Sequence, residues 1–132
     1  MFQEANSLTT APDLPATTLA YHCYEGMFDN NSGLVHAPAI LPATTLPSGV
    51  NSVYIYMFNK CTNLENAPEI MLNDMSTIQC TNMFNMCEKI NYIKVHCIGN
   101  WYNQSGWVNG VAETGTFVKP ASTSIPTGIN GL

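Results

Sequence analysis

Apolar side chains recur along this chain at long intervals, with polar Thr, Asn and Ser between them. A Met-Phe pair stands at Met1-Phe2, Met27-Phe28, Met57-Phe58 and Met83-Phe84, at spacings of 26, 30 and 26 residues. Seven residues after each Met comes a large aliphatic: Leu8, Leu34, Leu64 and Ile90. Ten residues after it come Ala11, Ala37, Ala67 and Ile93, and each of the three alanines precedes a proline. Four residues after it stand Ala5, Asn31, Cys61 and Cys87. Several positions in register across four units define an internal repeat. A unit of this length cannot bury its own apolar side, so neighbours must stack. The Met, Phe, Cys, Leu and Ala positions then predict ladders inside the stack, with polar positions facing water. Within a unit, Cys23–Phe28 holds no proline and predicts a single helical turn with Tyr24, Met27 and Phe28 inward. Residues 34–41 predict an extended segment, because a residue before proline is pushed out of the helical region. One short parallel strand per unit follows.

The segment Leu-Pro-Ala-Thr-Thr-Leu occurs twice, at Leu14–Leu19 and Leu41–Leu46. Together with MFNKCTNLENAPEI (Met57–Ile70) and LTTAPDLPATTLAYHCYEGMF (Leu8–Phe28), it resembles the repeat of BspA-like leucine-rich-repeat surface proteins of Bacteroidetes and their phages. The resemblance covers roughly residues 1–98, and WVNGVAETGTFVK resembles the cap that follows such repeats. It implies a leucine-rich-repeat-like solenoid of short parallel strands and short helical turns, closed by a C-terminal β-rich cap. It also implies an extracellular adhesin or binding surface, and it brings no catalytic residues with it. The sequence departs from the family pattern at Asn31, where Cys is expected, and in a four-residue insertion before Met57.

The expected organisation is a repeat region over residues 1–98, of about three and a half units, and a cap and tail over 99–132. Pro47–Asn51 predicts a turn bulging from the stack. Ile90–Ile98 alternates well enough to predict a better-developed strand. Beyond Gly99 the repeat ends, and WVNGV and GTFVK on either side of Ala112-Glu113-Thr114 predict a hairpin. The chain starts within a unit, at a Met-Phe pair. The expectation is that it is a piece of a longer protein, or else that another chain covers the first unit.

Charge narrows the partners. Only 10% of the 132 residues are charged, the net charge is −5, and the four basic residues are all lysines. Nucleic-acid binding needs a basic footprint and is set aside. No apolar run reaches the 18 residues of a membrane span. A surface this poor in charge repels itself weakly and tolerates association, including self-assembly.

The five cysteines form no CxxC pair, and the ladder positions Cys61 and Cys87 are expected in the core as small apolar residues. Cys23 and Cys80 are expected near one another in register. The three histidines sit in no nucleophile–base signature, and the carboxylates are spread through the units as on a solvated face. No cofactor and no metal site is indicated. Trp101, Tyr102 and Trp107 could stack on sugar rings or form the core of the cap, and the cap reading leads. Tyr54 and Tyr56, near the insertion, are the other exposed candidates. The expected function is a non-enzymatic binding or adhesion module at a cell surface, recognising a host protein or glycan. The alternative is a structural subunit of a larger assembly, such as a virion fibre, a decoration protein or a surface filament.

Overall fold

A computed structural model describes residues 1–77, 79–98, 101 and 104–123. Among these residues there are four strands: β1 (Ile40–Leu41), β2 (Glu69–Ile70), β3 (Tyr92–Lys94) and β4 (Thr116–Val118). They form two parallel two-stranded sheets, β1 with β2 and β3 with β4. Single parallel bridges extend the same pairing, from Thr10 to His36, His36 to Asn66, Ile70 to Val95 and Met75 to Trp101.

This corrects the expected fold class. Among the described residues there is no helix, so the leucine-rich-repeat-like solenoid with helical turns is not what forms. The strands are two or three residues long, and Ile90–Ile98 contributes only Tyr92–Lys94. The cap hairpin is also absent from the described residues: β4 runs parallel to β3, with Ile93 opposite Phe117, and residues 105–110 are turns.

The backbone hydrogen bonds give the reason. A helical turn would satisfy its N–H groups within the segment. Here they alternate. Cys23, Glu25, Met27 and Asp29 donate within their own unit, to the carbonyls of Ala20, His22, Tyr24 and Gly26. Tyr24, Gly26, Phe28 and Asn30 donate to the next unit, to Val53, Ile55, Met57 and Asn59. The pattern repeats from Tyr54–Lys60 onto Gln79–Asn85, and from Asn82–Met86 onto Ser105–Asn109. Aiming alternate N–H groups along the stack requires left-handed backbone at every fourth residue: His22, Gly26 and Asn30, then Ser52, Tyr56 and Lys60, then Asn82 and Met86. A non-glycine residue in that conformation costs about 1–2 kcal/mol. The bonds between units offset it, because a buried unpaired N–H costs a comparable amount.

The core is a set of columns along the stack. Phe2, Phe28, Phe58 and Phe84 lie nearly parallel, with centroids 5.5, 5.3 and 5.8 Å apart. Beside them lie Met27, Met57 and Met83, and Leu34, Leu64 and Ile90, all buried. The thiols of Cys61 and Cys87 donate to the carbonyls of Phe28 and Phe58 at 3.1 and 3.0 Å, one unit back. The stack does not stop at residue 98. Phe84 N–H donates to Trp107 O and Met86 N–H to Asn109 O, so residues 104–111 form a further unit. Trp107 takes the place of Met83 there. Gly106 and Gly110 take the left-handed places of Asn82 and Met86, at φ of 66° and 76°.

Polar side chains make a column of their own. Asn109 Nδ2 donates to Asn85 Oδ1 (3.0 Å), Asn85 Nδ2 to Asn59 Oδ1 (2.8 Å) and Asn59 Nδ2 to Asp29 Oδ1 (2.8 Å). From the other side, Gln3 Nε2 donates to Asp29 Oδ2 at 3.1 Å. A carboxylate only accepts, so Asp29 sets the direction of the whole relay.

Candidate functional site: a cleft beside the insertion

The insertion interrupts the stack and opens a cleft of about 330 Å³ beside it. One wall is the second Leu-Pro-Ala-Thr-Thr-Leu segment. Leu41 and Ala43 are fully buried, which turns Thr44 and Thr45 outward. The insertion then closes on itself, with Val50 N–H donating to Pro47 O at 3.0 Å. Gly49 stands at φ 79°, a conformation glycine adopts without the Cβ penalty. The facing wall is made of residues between Leu72 and Thr77, with Gln79. Leu72 and Met75 point into the core, leaving Asn73, Asp74, Ser76 and Thr77 toward solvent. Asp74 Oδ1 caps the Ser76 N–H at 2.8 Å, a short Asx-type turn. Asn73 N–H donates to Thr44 O at 2.9 Å and ties the two walls at the base.

The cleft is held from behind by Gln104, which is only 1% exposed. Its Oε1 accepts from the N–H groups of Gln79 (2.8 Å) and Cys80 (2.7 Å). Its Nε2 donates to the carbonyls of Met75 (3.3 Å) and Thr77 (2.8 Å). One side-chain amide thus satisfies four backbone groups where the turn ladder does not reach. Hydroxyls and amides dominate the polar part of the cleft, Asp74 is the single ionisable side chain among its described lining residues, and Leu46, Pro47, Val50 and Leu72 supply an apolar patch.

The aromatic candidates lie elsewhere. Tyr54 is 1% exposed, not at the surface, and stacks on Tyr24 at 6.2 Å; burial pushes its phenol well above the usual range. Tyr56 is 40% exposed and stands in the left-handed region. Trp101 and Trp107 come together in the core, 4.9 Å apart, with Phe117 against Trp107 at 5.8 Å. Both indoles are buried and their N–H groups have no hydrogen-bond partner among the described residues. Tyr102 lies outside the described residues.

The thiols and the ionisable side chains have settled places. Cys61 is buried, and desolvation pushes its thiol up to about 12. Burial drives Cys80 and Cys87 up as well, and partial burial also raises the Cys23 thiol, although that residue is exposed. Cys23 and Cys80 are not in register: Tyr24 and Tyr54 share the Cys80 column, and Cys23 falls beside Val53 and Gln79. Glu69 Oε1 meets Lys94 Nζ at 2.8 Å and also His96 Nε2. Lys94, and after it His96, holds the Glu69 carboxyl below its ordinary value. His22 pairs with Glu25 across one turn. No group of three His, Cys, Asp or Glu side chains among the described residues converges as a metal site would require.

Thr44, Thr45, Asn73 and Asp74 were not among the sequence candidates. The available signal was the duplicated Leu-Pro-Ala-Thr-Thr-Leu, of which only the second copy leads into the insertion. No family model, no curated protein and no solved structure matches the chain.

Proposed function

We propose that the chain is a non-enzymatic binding module, acting at a cell surface on a protein or glycan through the cleft beside the insertion. The observation that carries this reading is the cleft itself. It is walled by two consecutive units, tied at its base, and lined by outward hydroxyl and amide groups. The groups that would serve nucleophilic chemistry are engaged otherwise: Cys61, Cys80 and Cys87 are buried, and His22 and His96 pair with carboxylates. The resemblance of the repeats to those of BspA-like surface proteins supports the same reading. The test is binding of the labelled full chain to epithelial cells and to immobilised mucin. Binding that falls when Ser76→Trp, at a residue lining the cleft, narrows it is the expected result. Undiminished binding by that variant would remove the cleft from the proposal.

A second reading, a structural subunit of a larger assembly, draws on exposed apolar side chains. Ile98 is 62% exposed, Tyr21 56% and Tyr92 49%. Light scattering over a concentration series tests it: a defined oligomer supports it, and a monomer throughout removes it.

A further inference from the structure

Resting on the binding reading, we infer that the cleft beside the insertion takes a neutral saccharide, one or two pyranose units in size. The chemistry of the lining selects the class. Among the described residues no Lys, Arg or His faces the cleft, and its single charge is the negative Asp74, already anchored on the Ser76 N–H. Phosphate, sulfate and carboxylate ligands therefore find no counter-charge, and the net charge of −5 repels them further. A wholly apolar ligand would strip water from Thr44, Thr45, Asn73 and Ser76 and give nothing back. An extended peptide pairs through free backbone groups, but the Asn73 N–H and the Thr44 carbonyl, which tie the walls, are already bonded to each other.

A pyranose suits both halves of the lining. Its hydroxyls donate and accept, as do Thr44, Thr45 and Asn73, and its C–H face lies against an apolar surface such as that of Pro47 and Val50. The cleft volume of 330 Å³ falls at the lower end of the range for small-molecule sites. The hydrogen bonds that shape the walls leave the Thr45 hydroxyl and the Asn73 side chain to the ligand, because the wall bonds use backbone groups of Thr44 and Asn73.

The test uses the 15N-labelled full chain, titrated separately with maltotriose, cellotriose and triacetylchitotriose, and with inorganic phosphate and a heparin disaccharide as anionic probes. The expected result is saturable amide shifts at Thr44, Thr45, Asn73 and Ser76 with at least one neutral saccharide and none with the anions. Thr45→Val and Asn73→Ala, each with an unchanged circular dichroism spectrum, should weaken that saccharide about tenfold. Shifts with none of the three saccharides, shifts centred elsewhere, or cleft shifts with the anions would overturn the inference. Cell and mucin binding is measured in parallel on the same preparations. Binding that persists without saccharide shifts sinks the saccharide assignment alone, and loss of both sinks the binding reading with it.

Discussion

Asn31 offers a sharp test of how the stack is held together. It occupies the column of Cys61 and Cys87, is 0% exposed, and neither its Nδ2 nor its Oδ1 has a partner among the described residues. A buried polar group without a partner costs about 1–3 kcal/mol. One and two units further on, the same position holds a thiol that donates to the carbonyl of the Phe one unit back. Asn31→Cys places a thiol where the Phe2 carbonyl is the corresponding acceptor. The substitution should therefore stabilise the chain by about 1–3 kcal/mol. For a chain of this size that is a rise in Tm of roughly 4–12 °C. Asn31→Ala separates the two contributions, since it removes the orphaned amide without adding a donor; it should recover most of the gain. Cys61→Asn installs the same defect deeper in the stack and should cost at least as much, because the Phe28 carbonyl also loses its donor. The assay is thermal and urea unfolding by circular dichroism in reducing buffer, which keeps adjacent thiols apart. An Asn31→Cys or Asn31→Ala protein no more stable than the parent would refute the reasoning. The amide would then be satisfied, and the column would not select for a thiol.

Gln104→Ala should destabilise by about 4 kcal/mol, because the N–H groups of Gln79 and Cys80 and the carbonyls of Met75 and Thr77 lose one shared partner. Gln104→Glu should fail as well, since a carboxylate would face two carbonyls; a urea midpoint equal to the parent's for either variant contradicts this. With a thiol-reactive dye at pH 8, one of the five cysteines should react quickly in the folded chain, namely Cys23, and Cys61, Cys80 and Cys87 only on unfolding. Fast modification of Cys61 would show that its column opens. The Glu69–Lys94–His96 cluster predicts a pH window. Glu69 has a folded pKa below its unfolded one, so its contribution is present above the ordinary carboxylate value and is lost as pH falls through the folded value. Lys94 is raised, chiefly by its bond to Glu69, so its contribution holds below its ordinary value and is lost as pH rises through the raised one. The stability difference between the parent and Glu69→Gln should vanish at both extremes, and a pH-independent difference would rule the linkage out.

The columns were legible in the sequence because they rest on local identity. The Met-Phe pairs from Met27 onward, Leu34 and Leu64, and Cys61 and Cys87 each mark a buried place by residue type and spacing. The helical turn was misread for a physical reason. Cys23–Phe28 has no feature that forbids a helix, and what prevents one is the demand of the next unit for every second N–H. That demand lies 29 residues downstream, beyond the reach of local propensity. The further unit at residues 104–111 was hidden because Phe and Cys have given way to Val108 and Val111. Only Gly106 and Gly110, in the places of Asn82 and Met86, preserve its outline. The cleft was half-visible: the insertion stood out, but which wall it would face depends on how the units stack. Tyr54 was misplaced because a tyrosine beside a turn can as easily continue a buried column, here that of Tyr24.

The relay of amides that ends on Asp29 bears on how such a chain can grow. Each asparagine in it passes one proton donor backward and offers one oxygen forward, so a tandem duplication that copies Asn59 or Asn85 simply adds a link of the same polarity. Duplicating the unit that carries Asp29 would instead set two carboxylates against each other with no proton between them. The chain can lengthen by copying units on the C-terminal side of that residue, while the unit that holds it must stay single.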